Sequence, residues 1–121
     1  MQNQLHYPLN CKVLVVDDSP HIRKLIGHVL KTSGAQVAVA CDGDQALTKI
    51  FRRIKIENPY DVIILDMRMP ILDGFSTVQI LRKKNILVPV LALTGGMDKS
   101  IQAREFRIQT HRQLVCKVCV S

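Results

Sequence analysis

The chain has 121 residues, a length that suits one domain with a real core. Its 47% hydrophobic content excludes a disordered chain, and no apolar run approaches the length of a membrane span. Seventeen Lys and Arg against ten Asp and Glu give a formal net charge of +7, a balance that admits nucleic acid, anionic lipid or an acidic protein as partner.

Residues 1–10 carry neither a charged n-region nor an apolar h-region, so they read as a frayed leader on a cytoplasmic protein rather than a signal peptide. Lys12-Val13-Leu14-Val15-Val16 then forms a continuous apolar strand, as expected when both faces of a parallel sheet are covered. It ends in two carboxylates, Asp17 and Asp18. Ser19 supplies an N-cap and Pro20 fits the first helical turn, where its missing N–H is harmless. Ile22, Leu25, Ile26, Val29 and Leu30 follow as the apolar stripe of an amphipathic helix, and Gly34 stops it.

Gln36 to Cys41 reads as a short β-branched strand, and Asp42-Gly43-Asp44 turns the chain into a second helix with Ala46, Leu47, Ile50 and Ile54 inward. Asn58-Pro59 ends that helix. Val62 to Leu65 is a second unbroken apolar run and stops at Asp66, a carboxylate at the strand end where open α/β sheets place their ligands. Pro70, Asp73 and Gly74 mark a loop and the cap of a third helix running to about Lys84, with Phe75, Val78 and Leu81 buried. Val88 to Leu93 is the fourth strand, followed by Thr94-Gly95-Gly96. Asp98 to Ile108 is a weaker fourth helix, and Gln113 to Cys116 a candidate fifth strand ending near Lys117. Strands alternating with helices give βαβ units and a parallel sheet.

The basic clusters Arg52-Arg53-Lys55 and Arg82-Lys83-Lys84 read as solvated helix faces. No aromatic platform accompanies them, with two Tyr, three Phe and no Trp in the chain, so direct nucleic-acid binding is not expected. Cys116 and Cys119 have C-x-x-C spacing but no second ligand pair, so they and Cys11 and Cys41 read as reduced core thiols.

In a parallel sheet all carboxyl ends lie on one edge, so Asp17, Asp18, Asp66, Thr94 and Lys117 can converge. Three carboxylates in one pocket repel and raise one another's pKa unless a cation intervenes. Mg²⁺ is the natural neutraliser, and a hydroxyl and an ammonium beside it suit a phosphoryl group. The residues therefore spell a phosphoryl-accepting aspartate with a metal. A haloacid-dehalogenase type of phosphatase would need a second Asp two residues after Asp66, where Arg68 stands.

The segments Val13 to Ser19, Asp61 to Pro70 with Asp73-Gly74, and Pro89 to Gly95 resemble the receiver domain of two-component response regulators and hybrid histidine kinases. The resemblance runs from about Cys11 to about Ile108 and implies a flavodoxin-like, doubly wound, five-stranded parallel sheet in the order 2-1-3-4-5. It implies a single domain over residues 11–121, a signalling domain in two-component transduction rather than an enzyme, which assists its own phosphorylation and dephosphorylation. Asp66 would take a phosphoryl group from the phosphohistidine of a sensor kinase or phosphotransfer protein. Asp18, Asp66 and the backbone carbonyl of Arg68 would hold Mg²⁺, with Asp17 acting through water. Thr94 and Lys117 would bind the phosphoryl group, and Gly95 would leave room for it. Leu114 and Val118 replace the family's aromatic residue and its Pro after the Lys, and the family's last helix is missing. Residues 98–121 thus read as a degenerate or truncated end, which leaves room for a pseudo-receiver that binds partners without phosphorylation, or for a homodimer covering the sheet face.

Overall fold

The computed structural model describes residues 10–94 and the strand 115–119. Its elements are β1 (Lys12–Val16), α1 (Pro20–Thr32), β2 (Gln36–Ala40), α2 (Gly43–Lys55), β3 (Val62–Asp66), α3 (Gly74–Lys83), β4 (Val90–Thr94) and β5 (Val115–Cys119). The strands form one parallel sheet in the order β2-β1-β3-β4-β5, the doubly wound arrangement expected of the sequence. The expected helix over 98–108, Gly95 and the leader up to residue 9 lie outside the described residues, as does most of the stretch read as degenerate.

Period-two alternation divides the core between the two faces of the sheet. Leu14, Val16, Ile63, Leu65, Val90 and Ala92 face α2 and α3, which contribute Ala46, Leu47, Ile50, Val78 and Leu81. Val13, Val15, Ile64 and Leu93 face α1, which contributes Ile22, Ile26 and Leu30. Leu25 and Val29 of the expected stripe are instead 53% and 56% exposed, because the face α1 turns to the sheet is the narrower i, i+4, i+8 row. Ile54, also expected inward, lies at an exposed lip one turn beyond the last buried residue of α2, Ile50. Phe75 is half-buried, and the position beside Val78 is filled by a fully buried Thr77 whose hydroxyl donates to the Asp73 carbonyl, 2.7 Å away.

Caps set the helix limits. Ser19, Asp42 and Asp73 accept from the backbone N–H groups of Ile22, Gln45 and Ser76. The three described helices end in the same paired 6→1 and 5→2 bonds: Ala35 to Leu30 with Gly34 to Lys31, Asn58 to Arg53 with Glu57 to Ile54, and Ile86 to Leu81 with Asn85 to Arg82. The pivot is left-handed in each, at Gly34, Glu57 and Asn85. The free side of the edge strand β2 is blunted by the Lys49 ammonium on the Val39 carbonyl and by Gln45, which accepts from the Cys41 N–H at 3.0 Å.

Pro89 ends up just ahead of β4, where its carbonyl accepts from the Ile63 N–H. The fifth strand lies further along than the sequence suggests. Register pairs Ala92 with Lys117 and Thr94 with Cys119, so the backbone of Lys117 is in mid-strand, two residues short of the carboxyl edge. The apolar pattern of Gln113 to Cys116 continues through Val118 and Val120, and only the ladder with β4 chooses among those registers.

Candidate functional site

The acidic cluster forms because two neighbouring strands end together. Val16 pairs with Leu65, which puts Asp17 and Asp18 beside Asp66 at the carboxyl edge. One oxygen from each carboxylate lies within 4.8 Å of the others, as the sequence reading expects. Asp17 is buried, Asp66 half-buried and Asp18 exposed, so the cluster opens to solvent on the Asp18 side.

Local hydrogen bonds aim two of the three carboxylates. The Ser19 N–H donates to Asp17 Oδ1 at 2.9 Å, and the Arg68 N–H donates to Asp66 Oδ1 at 3.0 Å. These bonds favour the charged forms, but burial and repulsion prevail. Desolvation first, then the charges of Asp17 and Asp18, push Asp66 up to about 6 from the ordinary 3.8. Asp17 is raised as well, by burial first and then by Asp18, against the lowering effects of the Ser19 N–H and the Arg23 charge. A donor set of three mutually repelling carboxylates suits a hard divalent cation, whose charge would relieve the repulsion.

Sequence reasoning missed Arg23. Its Nη1 donates to the Asp17 main-chain carbonyl at 2.6 Å and so ties the first turn of α1 to the end of β1. Its place one turn after the cap Ser19 was the available signal. Thr94 closes β4, whose neighbour β3 carries Asp66 opposite Leu93. Lys117 belongs to the same sheet but enters it below that edge. Cys11 and Cys41 are free, half-buried thiols outside the acidic cluster, and Cys11 packs on the α1 side of the core.

The loop from β3 to α3 carries a strained residue. Ile71 is 82% exposed with φ of 71°, a left-handed conformation that β-branched residues rarely adopt. The strain is on the order of 1–2 kcal/mol, while glycine adds roughly 0.5–1 kcal/mol of chain entropy to the unfolded state. Ile71→Gly should therefore stabilise the fold by up to about 1 kcal/mol, read as an increased denaturant midpoint at unchanged m-value.

The chain matches the family model for the response regulator receiver domain over residues 13–117. It is 41% identical over 87 residues to the alkaline phosphatase synthesis transcriptional regulatory protein PhoP of Bacillus subtilis, covering 72% of this chain and 34% of that protein. It is 43% identical over 84 residues to the transcriptional regulatory protein PrrA of Mycobacterium tuberculosis, with 69% and 34% covered. The chain thus spans about a third of the length of these curated relatives. The Francisella response regulator 1452 receiver domain matches with a TM-score of 0.71 at 37% identity, over 88% of this chain and 84% of that one. The receiver domain of the histidine kinase CKI1 from Arabidopsis thaliana, complexed with Mg²⁺, matches with a TM-score of 0.75 at 27% identity, over 94% and 86%. With the sheet order, the acidic cluster at its carboxyl edge and these likenesses in agreement, the chain belongs to the response regulator receiver domain family.

Proposed function

We propose that this receiver domain accepts a phosphoryl group on Asp66 from a phosphohistidine of a sensor kinase or phosphotransfer protein. The observation that carries the reading is the convergence of the Asp17, Asp18 and Asp66 oxygens within 4.8 Å at the carboxyl edge of the sheet. A free carboxylate oxygen of Asp66 attacks phosphorus. The O–P bond forms, the P–N bond to the imidazole breaks, and the departing ring nitrogen takes up a proton. Above neutral pH Asp66 is mostly ionised even with its pKa near 6, so the nucleophile is available. The Arg68 N–H holds Oδ1, which among the described residues leaves Oδ2 without a donor and suited to the attack.

Asp17, Asp18 and Asp66, with the Arg68 carbonyl, are the groups that would hold Mg²⁺, which when bound neutralises the carboxylates and the incoming phosphoryl oxygens. The CKI1 receiver domain, matched over 94% of this chain, is described as a Mg²⁺ complex. Thr94, whose backbone ends β4, would give its hydroxyl to the transferred group. Lys117, whose backbone pairs with Ala92 in the same sheet, would supply the ammonium. The full set of three acids favours phosphoacceptance over a partner-binding role without it.

Incubating the chain with acetyl phosphate and Mg²⁺ should add the mass of one phosphoryl group, labile to hydroxylamine. Asp66→Asn should add none. If the parent gains no mass while folded and supplied with Mg²⁺, it is a partner-binding module without phosphoacceptance.

A further inference from the structure

The two basic clusters that look unrelated in the sequence meet in the fold. Arg52, Arg53 and Lys55 occupy the last turn of α2; Arg82 and Lys83 occupy that of α3, with Lys84 at its cap. Both helices cover the same face and run back against their strands, so both last turns sit at the amino edge of the sheet, opposite Asp66. Between them lies a cleft of about 260 Å³ lined by Ile50 and Ile54 of α2, Pro59 and Tyr60 before β3, and Leu87 and Val88 before β4.

The cleft is built rather than incidental. Arg82 donates to the carbonyls of Ile86 at 2.7 Å and Val88 at 2.9 Å, pinning one wall. The Arg53 guanidinium stacks 4.5 Å over the Tyr60 ring and donates to the Asn58 carbonyl at 2.6 Å, fixing a cation on the other. The Lys84 ammonium stands 5.8 Å over the Phe51 ring. Ile54 and Leu87 remain 39% and 54% exposed at the lips. Of the nearby acids, Asp61 is engaged by the Lys12 N–H at 2.7 Å, and Glu57 is the helix pivot. Basic last turns complement helix dipoles, but that does not account for an apolar cleft left open between them.

We propose that this cleft docks a short segment of a partner protein, one large apolar side chain flanked by aspartates or glutamates. The volume suits one such side chain, and the basic rim supplies the complementary charge. Nucleic acid fits less well: Tyr60 is buried and the Phe51 ring lies beneath Lys84, so no open ring awaits a base. A concave apolar surface likewise suits an inserted side chain better than a bilayer. The site is on the edge away from Asp66, so docking does not depend on phosphoacceptance.

The test uses the full chain and a fluorescent peptide of acidic residues around a Leu-Phe pair, against the same peptide with Ser-Ser at its centre. Anisotropy should show the Leu-Phe peptide binding at least about tenfold tighter, with methyl shifts at Ile50, Ile54, Leu87 and Val88. Leu87→Ser and the pair Lys55→Glu with Lys84→Glu, all at exposed positions, should each weaken it by about tenfold while labelling by acetyl phosphate stays at the parent's rate. Equal affinity for the two peptides overturns the proposal. So does tighter binding of a DNA duplex or of phosphatidylserine vesicles than of the Leu-Phe peptide. Methyl contacts from the cleft to residues 1–9 or 95–114 in the free chain would overturn it too, since the cleft would then be filled from within.

Discussion

In metal-free buffer, taking the protein from about pH 7.5 to about pH 5 should stabilise it, contrary to the usual effect of acid on a domain held by paired carboxylates. Asp66 has its pKa raised to about 6 from 3.8, chiefly by burial and then by Asp17 and Asp18, and Asp17 is raised in the same direction. A carboxyl group with a raised pKa binds its proton more tightly in the folded state than in the unfolded chain. The stabilisation therefore grows as pH falls through about 6 and is complete below the ordinary carboxylate range. For Asp66 alone the full amount is about 2–3 kcal/mol, and roughly half of it, about 5 °C in melting temperature, is reached by pH 5. Asp66→Asn should flatten the profile and melt higher than the parent at neutral pH. Millimolar Mg²⁺ should stabilise the parent at neutral pH by about 2.7 kcal/mol once it exceeds its Kd a hundredfold, and Asp18→Asn should blunt that gain. A parent that loses stability steadily from neutral to pH 5 in EDTA would show that the three carboxylates do not repel as their geometry requires.

That cluster was legible because buried parallel strands leave an unmistakable pattern. Val13 to Val16 and Val62 to Leu65 admit no polar residue, so the acids that follow must mark strand ends, and a parallel sheet brings strand ends to one edge. Ser19 and Asp73 were equally legible as caps, since side-chain oxygens at those places satisfy the first free N–H groups. Asp42, the cap of α2, reads in the sequence only as part of a turn. What did not show depends on geometry without a residue-type signature. Glu57 takes the left-handed pivot of α2, a role that glycine or asparagine usually signals, so the sequence pattern points instead to Asn58-Pro59 as the helix end. Thr77 is wholly buried, yet a search for apolar periodicity passes over a hydroxyl whose bond to Asp73 hides its polarity. The register of β5 could not be read either, because a two-residue slide along Val115 to Val120 keeps its apolar alternation and only pairing with β4 fixes it.

Gly74→Ala should disable the site as well as weaken the fold. Gly74 opens α3 directly against the end of β3: an added Cβ would collide with the Asp66 carbonyl oxygen and come 2.8 Å from Met67 Cα. Neither obstacle is a flexible side chain. The Met67 N–H donates to the Leu93 carbonyl at 3.3 Å and Asp66 is paired with Leu93, so the strand end is held by β4. The helix start is held too, by Asp73 Oδ1, which accepts from the Ser76 N–H at 2.7 Å, and by the packing of Leu72 and Thr77 on Gly43. Overpacking of this kind costs about 1–3 kcal/mol, and two clamped backbones put the expected loss near the upper end. Labelling by acetyl phosphate should fall well below what the folded fraction explains, since misplacing a reacting group by about 1 Å can cost on the order of a hundredfold. Gly27→Ala is the control. Its new Cβ would sit 3.8 Å from Val37 Cγ1, an ordinary contact in mid-helix. It should stabilise by about 0.5–1 kcal/mol and leave labelling alone. If Gly74→Ala matches Gly27→Ala in both melting and labelling, the glycine at the head of α3 is not what holds Asp66 in place.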